Sequence, residues 1–123
     1  MERPLFKPGR SIATAAAVKA MQAAERNPNE LLQRHVTGDW GDISQDVREE
    51  NEESVRRVFT TQRPRIFSVY TLETGVKIWL FTEADRSVTT YLLPEEYVNV
   101  GTQSVGPMVH LVGGATRDLG PDD

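Results

Sequence analysis

Residues 65–94 read RIFSVYTLETGVKIWLFTEADRSVTTYLLP, three runs rich in β-branched and aromatic residues separated by two polar breaks. That spacing predicts an antiparallel β-meander. Period-two alternation would send Ile66, Ser68, Tyr70 and Leu72 one way, and Phe67, Val69 and Thr71 the other. The middle run sets Val76, Ile78 and Leu80 against Lys77, Trp79 and Phe81, and the third sets Val88, Thr90 and Leu92 against Thr89, Tyr91 and Leu93. Both faces of the middle run are apolar, so it should be central and covered on both sides, or on one side plus a partner. The break Glu73-Thr74-Gly75 supplies the glycine of a tight hairpin. The break Glu83-Ala84-Asp85-Arg86-Ser87 carries more charge than a turn requires.

N-terminal to this sheet the periodicity becomes helical. Residues 1–10 contain Pro4, Pro8 and Gly9 and read as a flexible arm, ending in a short extended piece at Ser11-Ile12-Ala13. Thr14 is positioned to cap an alanine-rich helix over 15–26. Pro28 ends that helix and opens a second one through Val36, closed by Gly38. Ser44 caps a third helix, 45 to about 58, with Val47, Asn51, Val55 and Val58 on its inner stripe. Pro94 starts a single helical turn. Residues 98–112 form an extension in which 108–112 is a possible edge strand, and 113–123 is expected to be disordered. The fold class is therefore α+β: two to three N-terminal helices on a three- to four-stranded antiparallel meander, with 11–97 as one domain.

At 123 residues the chain can bury one core. It has no cysteine, which removes disulfides and thiol chemistry, and its net charge of -4 argues against duplex DNA as a ligand. No apolar run approaches the roughly 20 residues of a membrane span, and no secretory leader is recognisable. A cytoplasmic protein with no membrane contact is expected. No nucleotide-binding, zinc-binding or nucleophile-elbow motif occurs, so neither cofactor nor metal is expected.

Three places could carry chemistry. His35 lies at the end of a short helix and is followed by Gly38-Asp39-Trp40-Gly41-Asp42. Either Asp39 or Asp42 orients it as a general base, or the aspartates cap backbone amides while Trp40 plugs the core. Asn51 lies on an apolar stripe, so its amide either bonds the 38–42 turn or contacts a ligand. In the 82–90 segment, Arg86 could clamp a phosphate beside Ser87, Thr89 or Thr90; alternatively Glu83, Asp85 and Arg86 form a salt-bridged turn. A cation between Glu83 and Asp85 would have no histidine to support it.

The run Arg34-His35-Val36-x-Gly38-Asp39-Trp40-Gly41-Asp42, then Asn51, Ser68-x-Tyr70, Ile78-Trp79 and Thr82-Glu83-Ala84-Asp85-Arg86-Ser87-x-Thr89-Thr90-x-Leu92-Leu93-Pro94-Glu95-x-Tyr97, resembles a widespread bacterial family of small plasmid-related proteins. The resemblance covers about 12–97. Some members carry the label of a type I restriction subunit, which at this length cannot mean a complete methyltransferase. The resemblance implies a bacterial, cytosolic protein of mobile elements and brings no established activity.

Two functions follow. One is a non-enzymatic accessory or interaction protein that acts on host defence or nucleic-acid machinery, with Trp79, Phe81 and Tyr91 on an apolar sheet surface and a homodimer as one outcome. The other is a small metal-independent ribonuclease similar in layout to barnase- and RelE-type toxins, with His35, Arg86, Thr89 or Thr90, and Tyr91 around a scissile phosphate. That second function requires the His35 turn and the 83–87 loop to meet in one cleft.

Overall fold

A computed structural model describes residues 3–56 and 65–97, and the backbone of 108–112 and 115–117. In chain order the elements are β1 (Arg10–Thr14), α1 (Ala15–Ala23), α2 (Pro28–Val36), α3 (Gln45–Arg56), β2 (Ile66–Thr71), β3 (Lys77–Thr82), β4 (Val88–Leu92), a 3-10 turn (Pro94–Glu96), β5 (Met108–Val112) and β6 (Ala115–Arg117).

The expected meander is present as β2-β3-β4, with Ser68 opposite Leu80 and Leu80 opposite Tyr91. The inward and outward sets therefore fall as the alternation requires. Gly75 turns the first hairpin at φ 91°, the left-handed conformation that glycine adopts most readily.

The sheet is mixed, not a wholly antiparallel meander. Its order is β2-β3-β4-β1-β5-β6, and β1 runs parallel to β4, with Ile12 opposite Thr90. The reason is connectivity: β1 feeds straight into α1, which folds back over one face and leaves β1 beside β4. The segment at 108–112 is not an edge strand. It lies between β1 and β6, and β6 itself falls inside the stretch expected to be disordered. Residues 98–107, 113–114 and 118–123 lie outside the described residues, as do 57–64, where the third helix was expected to continue.

Nor are residues 3–10 a free arm. The Leu5 amide donates to the Val36 carbonyl (2.6 Å) and the Arg10 amide to the Ser87 carbonyl (3.1 Å). Gly9, at φ 69°, lies so close to the Ser87 backbone that an added Cβ would sit 2.3 Å from its carbonyl oxygen.

Local chemistry sets the helix ends. The Thr14 hydroxyl accepts from the Ala17 amide (3.1 Å) and donates to Glu96 (2.7 Å), so one side chain caps α1 and ties it to the 3-10 turn. The helix stops at Ala23, three residues early. Glu25 adopts φ 56°, the Glu25 amide donates to the Gln22 carbonyl, and the Arg26 amide donates to the Met21 carbonyl. That is a Schellman closure with glutamate in the usual glycine position. Asn27 caps α2 by accepting from the Asn29 amide, with Pro28 as its first residue.

Helices α1 and α2 cover the face carrying Tyr70, Ile78, Leu80 and Tyr91, which with Ala13, Ala17, Val18, Met21 and Leu31 forms the apolar core. Alanines on α1 allow close approach to the strands. The Tyr91 hydroxyl donates to the Pro28 carbonyl (2.8 Å), fixing the start of α2 to the sheet centre.

Candidate functional site

The same covered face has a polar half. Ser68, Thr82 and Thr89 occupy inward positions on β2, β3 and β4, and all three are fully buried. A buried hydroxyl needs a partner, and α2 supplies one. His35, also fully buried, places Nδ1 2.6 Å from the Ser68 hydroxyl and Nε2 2.9 Å from the Thr82 hydroxyl. Thr82 and Thr89 hydroxyls are 2.6 Å apart, and Thr89 donates to the Pro8 carbonyl at 2.7 Å.

Because the Pro8 carbonyl can only accept, it fixes the direction of the whole chain of bonds. Thr89 donates to Pro8, so Thr82 donates to Thr89. His35 must then donate its Nε2 proton to Thr82, and because burial disfavours a second proton on the ring its bare Nδ1 accepts from Ser68. The imidazole is neutral, in one tautomer. Burial, reinforced by the charge of Arg86, lowers its pKa to about 3.

The His35 turn and the 83–87 loop do meet, as the second function requires, but the N-terminal segment fills the space between them. The Phe6 ring stands edge-on to His35 at 5.3 Å, and the Arg86 guanidinium lies 5.4 Å from the same ring. Arg86, at φ 63°, donates to the carbonyl and hydroxyl of Ser54 at 3.0 and 2.9 Å. It thereby joins the 83–87 turn to α3. Neither His35 nitrogen faces an opening.

The other sequence candidates are placed as follows. Asp39 forms a two-point ion pair with Arg34 at 2.8 and 3.2 Å, which lowers the Asp39 pKa and raises that of Arg34. The Asp39 carbonyl accepts from the Tyr70 hydroxyl, and the Asp42 carboxylate accepts from Thr71. The Asp39 and Asp42 carboxylates thus act on Arg34 and Thr71, not on His35. Trp40 is buried, and its indole N–H has no acceptor among the described residues. Glu83 pairs with Arg65 at 3.0 Å, and Asp85 accepts from the Ser87 amide. Among the described residues no three His, Asp or Glu gather as a metal site would need. Thr90 lies on the opposite face from Thr89, and Tyr91 is engaged with Pro28, so neither joins His35 and Arg86.

Asn51 does not bond the 38–42 turn. It is fully buried and pairs with the backbone of Phe67: its Nδ2 donates to the Phe67 carbonyl (2.7 Å), and its Oδ1 accepts from the Phe67 amide (2.9 Å). Next along, the Val69 amide donates to the Trp40 carbonyl (3.1 Å) and the Asp42 amide to the Val69 carbonyl (2.8 Å). Asn51 and the Trp40–Asp42 turn thus occupy the outward backbone groups of edge strand β2 and block its pairing with another chain. Gly41 permits this approach at φ 72°, since an added Cβ would lie 1.9 Å from the Val69 carbonyl oxygen.

A groove of about 370 Å³ opens on the other face of the sheet, beside α3. Its walls include Phe67, Trp79, Phe81 and Tyr97, with Glu50 and Arg65 among its lining. Phe67 and Trp79 meet at 84° with centroids 4.9 Å apart, Trp79 and Tyr97 at 63° and 5.3 Å, and Phe81 and Tyr97 at 87° and 6.0 Å. Tyr97 is 39% exposed. Trp79 and Phe81 were expected on an apolar sheet surface and line this groove, whereas Tyr91 faces the helices. Alternation alone identifies Phe67 as their neighbour. The parts played by Tyr97 and Arg65 depend on how the chain enters and leaves the sheet. Ser68 and Thr82 were legible as polar residues in phase with buried leucines. Phe6 and Pro8 had no such signal.

No family model, no curated protein and no solved structure matches the chain.

Proposed function

We propose that this chain is a non-enzymatic interaction protein, of the accessory kind carried by mobile elements, and that it contacts its partner through the aromatic groove between β2, β3, Tyr97 and α3. The observation that carries this reading is a contrast. His35, Arg86, Thr89 and Tyr91 are all engaged with other side chains or with backbone, while Phe67, Trp79 and Tyr97 line an open groove over the buried Phe81 ring. A protein surface holding that much aromatic area is favoured for contact with another chain. The mobile-element setting rests on the sequence resemblance alone.

The ribonuclease alternative needs a base that reaches a ribose hydroxyl. A neutral, fully buried His35 with both nitrogens bonded counts against it, as does the net charge of -4.

The test is site-specific photocrosslinking in a bacterial host, with the photoreactive residue at Trp79 or, as a control, at Lys19 on α1. A defined protein adduct at position 79 and none at 19 is the expected result. A self-adduct would make the partner a second copy. Adducts at 19 alone, or cleavage of labelled RNA that is lost in His35→Asn, would overturn the reading.

A further inference from the structure

Resting on that docking reading, we infer that the groove is a cation-selective aromatic box whose occupant is an arginine side chain in a basic segment of the partner protein. Three independent features of the groove lead to this chemistry. The first is ring geometry. Phe67, Trp79 and Tyr97 meet at 84° and 63°, so they form successive walls of a corner and not a parallel stack. Walls at such angles can present the negative face of more than one π-system to the same open groove, an arrangement suited to an organic cation.

The second feature is a cation already held by the same surface. The Arg65 guanidinium lies 5.0 Å from the Phe81 ring centroid, over its face. Its charge is met by Glu83, so Arg65 demonstrates the preference of the wall without repelling a second cation strongly.

The third is charge. Glu50 lines the groove and makes no ion pair among the described residues. It lies on α3, which carries Asp46, Glu49, Glu50, Glu52 and Glu53 against Arg48 and Arg56, five carboxylates to two guanidinium groups. Of these carboxylates Glu50 alone lines the groove, and Glu53 pairs with Arg56; with Arg65 already met by Glu83, Glu50 leaves one uncompensated negative charge beside the aromatic rings. A carboxylate or phosphate would meet repulsion from α3, and a neutral apolar side chain would leave Glu50 unused. Arginine fits best, because its planar guanidinium can stack on an indole and still donate to a carboxylate.

The test is an NMR titration of the full chain with the peptide acetyl-Gly-Arg-Arg-Gly-amide and with its citrulline counterpart, which keeps the shape and removes the charge. The expected result is a shift of the Trp79 indole N–H with the arginine peptide, binding roughly tenfold weaker with citrulline, several-fold loss in Glu50→Gln, and loss of the interaction in Trp79→Ala. Trp79→Phe, which keeps a ring in the wall, should retain most of the binding and guards against misfolding in the alanine variant. Equal binding of the two peptides at Trp79 would overturn cation selectivity while leaving the docking groove standing. Shifts confined to the outer carboxylates of α3, or no shift at all, would overturn the box, and the crosslink from position 79 then decides the docking reading separately.

Discussion

Removing the Asn51 amide should open the edge of the sheet, and the size of the loss follows from its two bonds. Asn51→Ala strips partners from the Phe67 amide and carbonyl, each costing about 1–3 kcal/mol if left dry. Phe67 also borders the groove, so water can reach part of the gap, and the expected loss is about 2–3 kcal/mol. Asn51→Asp separates the hydrogen-bonding argument from simple volume. Its carboxylate can still accept from the Phe67 amide but confronts the Phe67 carbonyl with a lone pair, in a fully buried position. At neutral pH the aspartate variant should therefore be less stable than the alanine variant. Its carboxyl pKa should be raised, because protonation restores the missing donor. A group with a raised folded pKa stabilises below its unfolded pKa and loses that contribution as pH rises through the folded value. The aspartate variant should accordingly overtake the alanine variant on acidification toward pH 4.5. Urea unfolding followed by tryptophan fluorescence at pH 7.5 and 4.5 measures all of this. An alanine cost below about 0.5 kcal/mol, or an Asp–Ala difference that does not change with pH, would refute the edge-pairing role.

Gly41→Ala should destabilise by at least about 3 kcal/mol, because left-handed strain adds to collision with the Val69 carbonyl; thermal melts would show it. Glu25→Gly should leave stability equal or raise it by up to about 1 kcal/mol by relieving the left-handed residue in the α1 closure; a loss in urea titration would contradict that. For His35, the native pKa of about 3 lies below the ordinary 6.5. The unfolded chain therefore binds more protons between those values, and stability is full above pH 6.5 and falls as pH drops toward 3. The loss between pH 7.5 and 5 should be about 2 kcal/mol, and His35→Gln, compared in the same urea series, should lack that slope. Phe6→Ala should cost about 3–4 kcal/mol through the cavity left between His35 and Arg86, with hydrogen exchange rising first along Leu5–Arg10.

The meander was legible because its signal is local. Alternation over six residues assigns Ile78 and Leu80 to one face and Trp79 and Phe81 to the other, and Gly75 marks its own turn. Thr14 and Ser44 announce helix starts because a cap acts within three residues. What escaped the sequence depends on distant pairings or on residues used against type. The five residues of β1 carry no alternation strong enough to indicate a parallel partner 78 positions away. Glu25 and Arg86 adopt left-handed backbone without being glycine, so the end of α1 and the tightness of the 83–87 turn were invisible. His35 was singled out from its place at the end of a short helix, as a candidate base beside Asp39 and Asp42. Its partners, Ser68, Thr82 and the Phe6 ring, come from three other elements. The same composition that suggested a base with its phosphate clamp therefore folds into a closed hydrogen-bond chain. Asn51 carried the matching ambiguity: a buried amide must be paired, but periodicity does not name the strand edge that pairs it.

The state of the His35 imidazole bears most directly on whether these polar motifs hold the sheet together or perform chemistry. Long-range proton–nitrogen NMR spectra, recorded from pH 5 to 8, report which ring nitrogen carries the proton. A bare Nδ1 and a protonated Nε2, unchanged across that range, are the predicted result. An imidazole that exchanges between tautomers, or that titrates near 6.5, would contradict the closed chain from Ser68 to Pro8 and return His35 to the list of reactive groups.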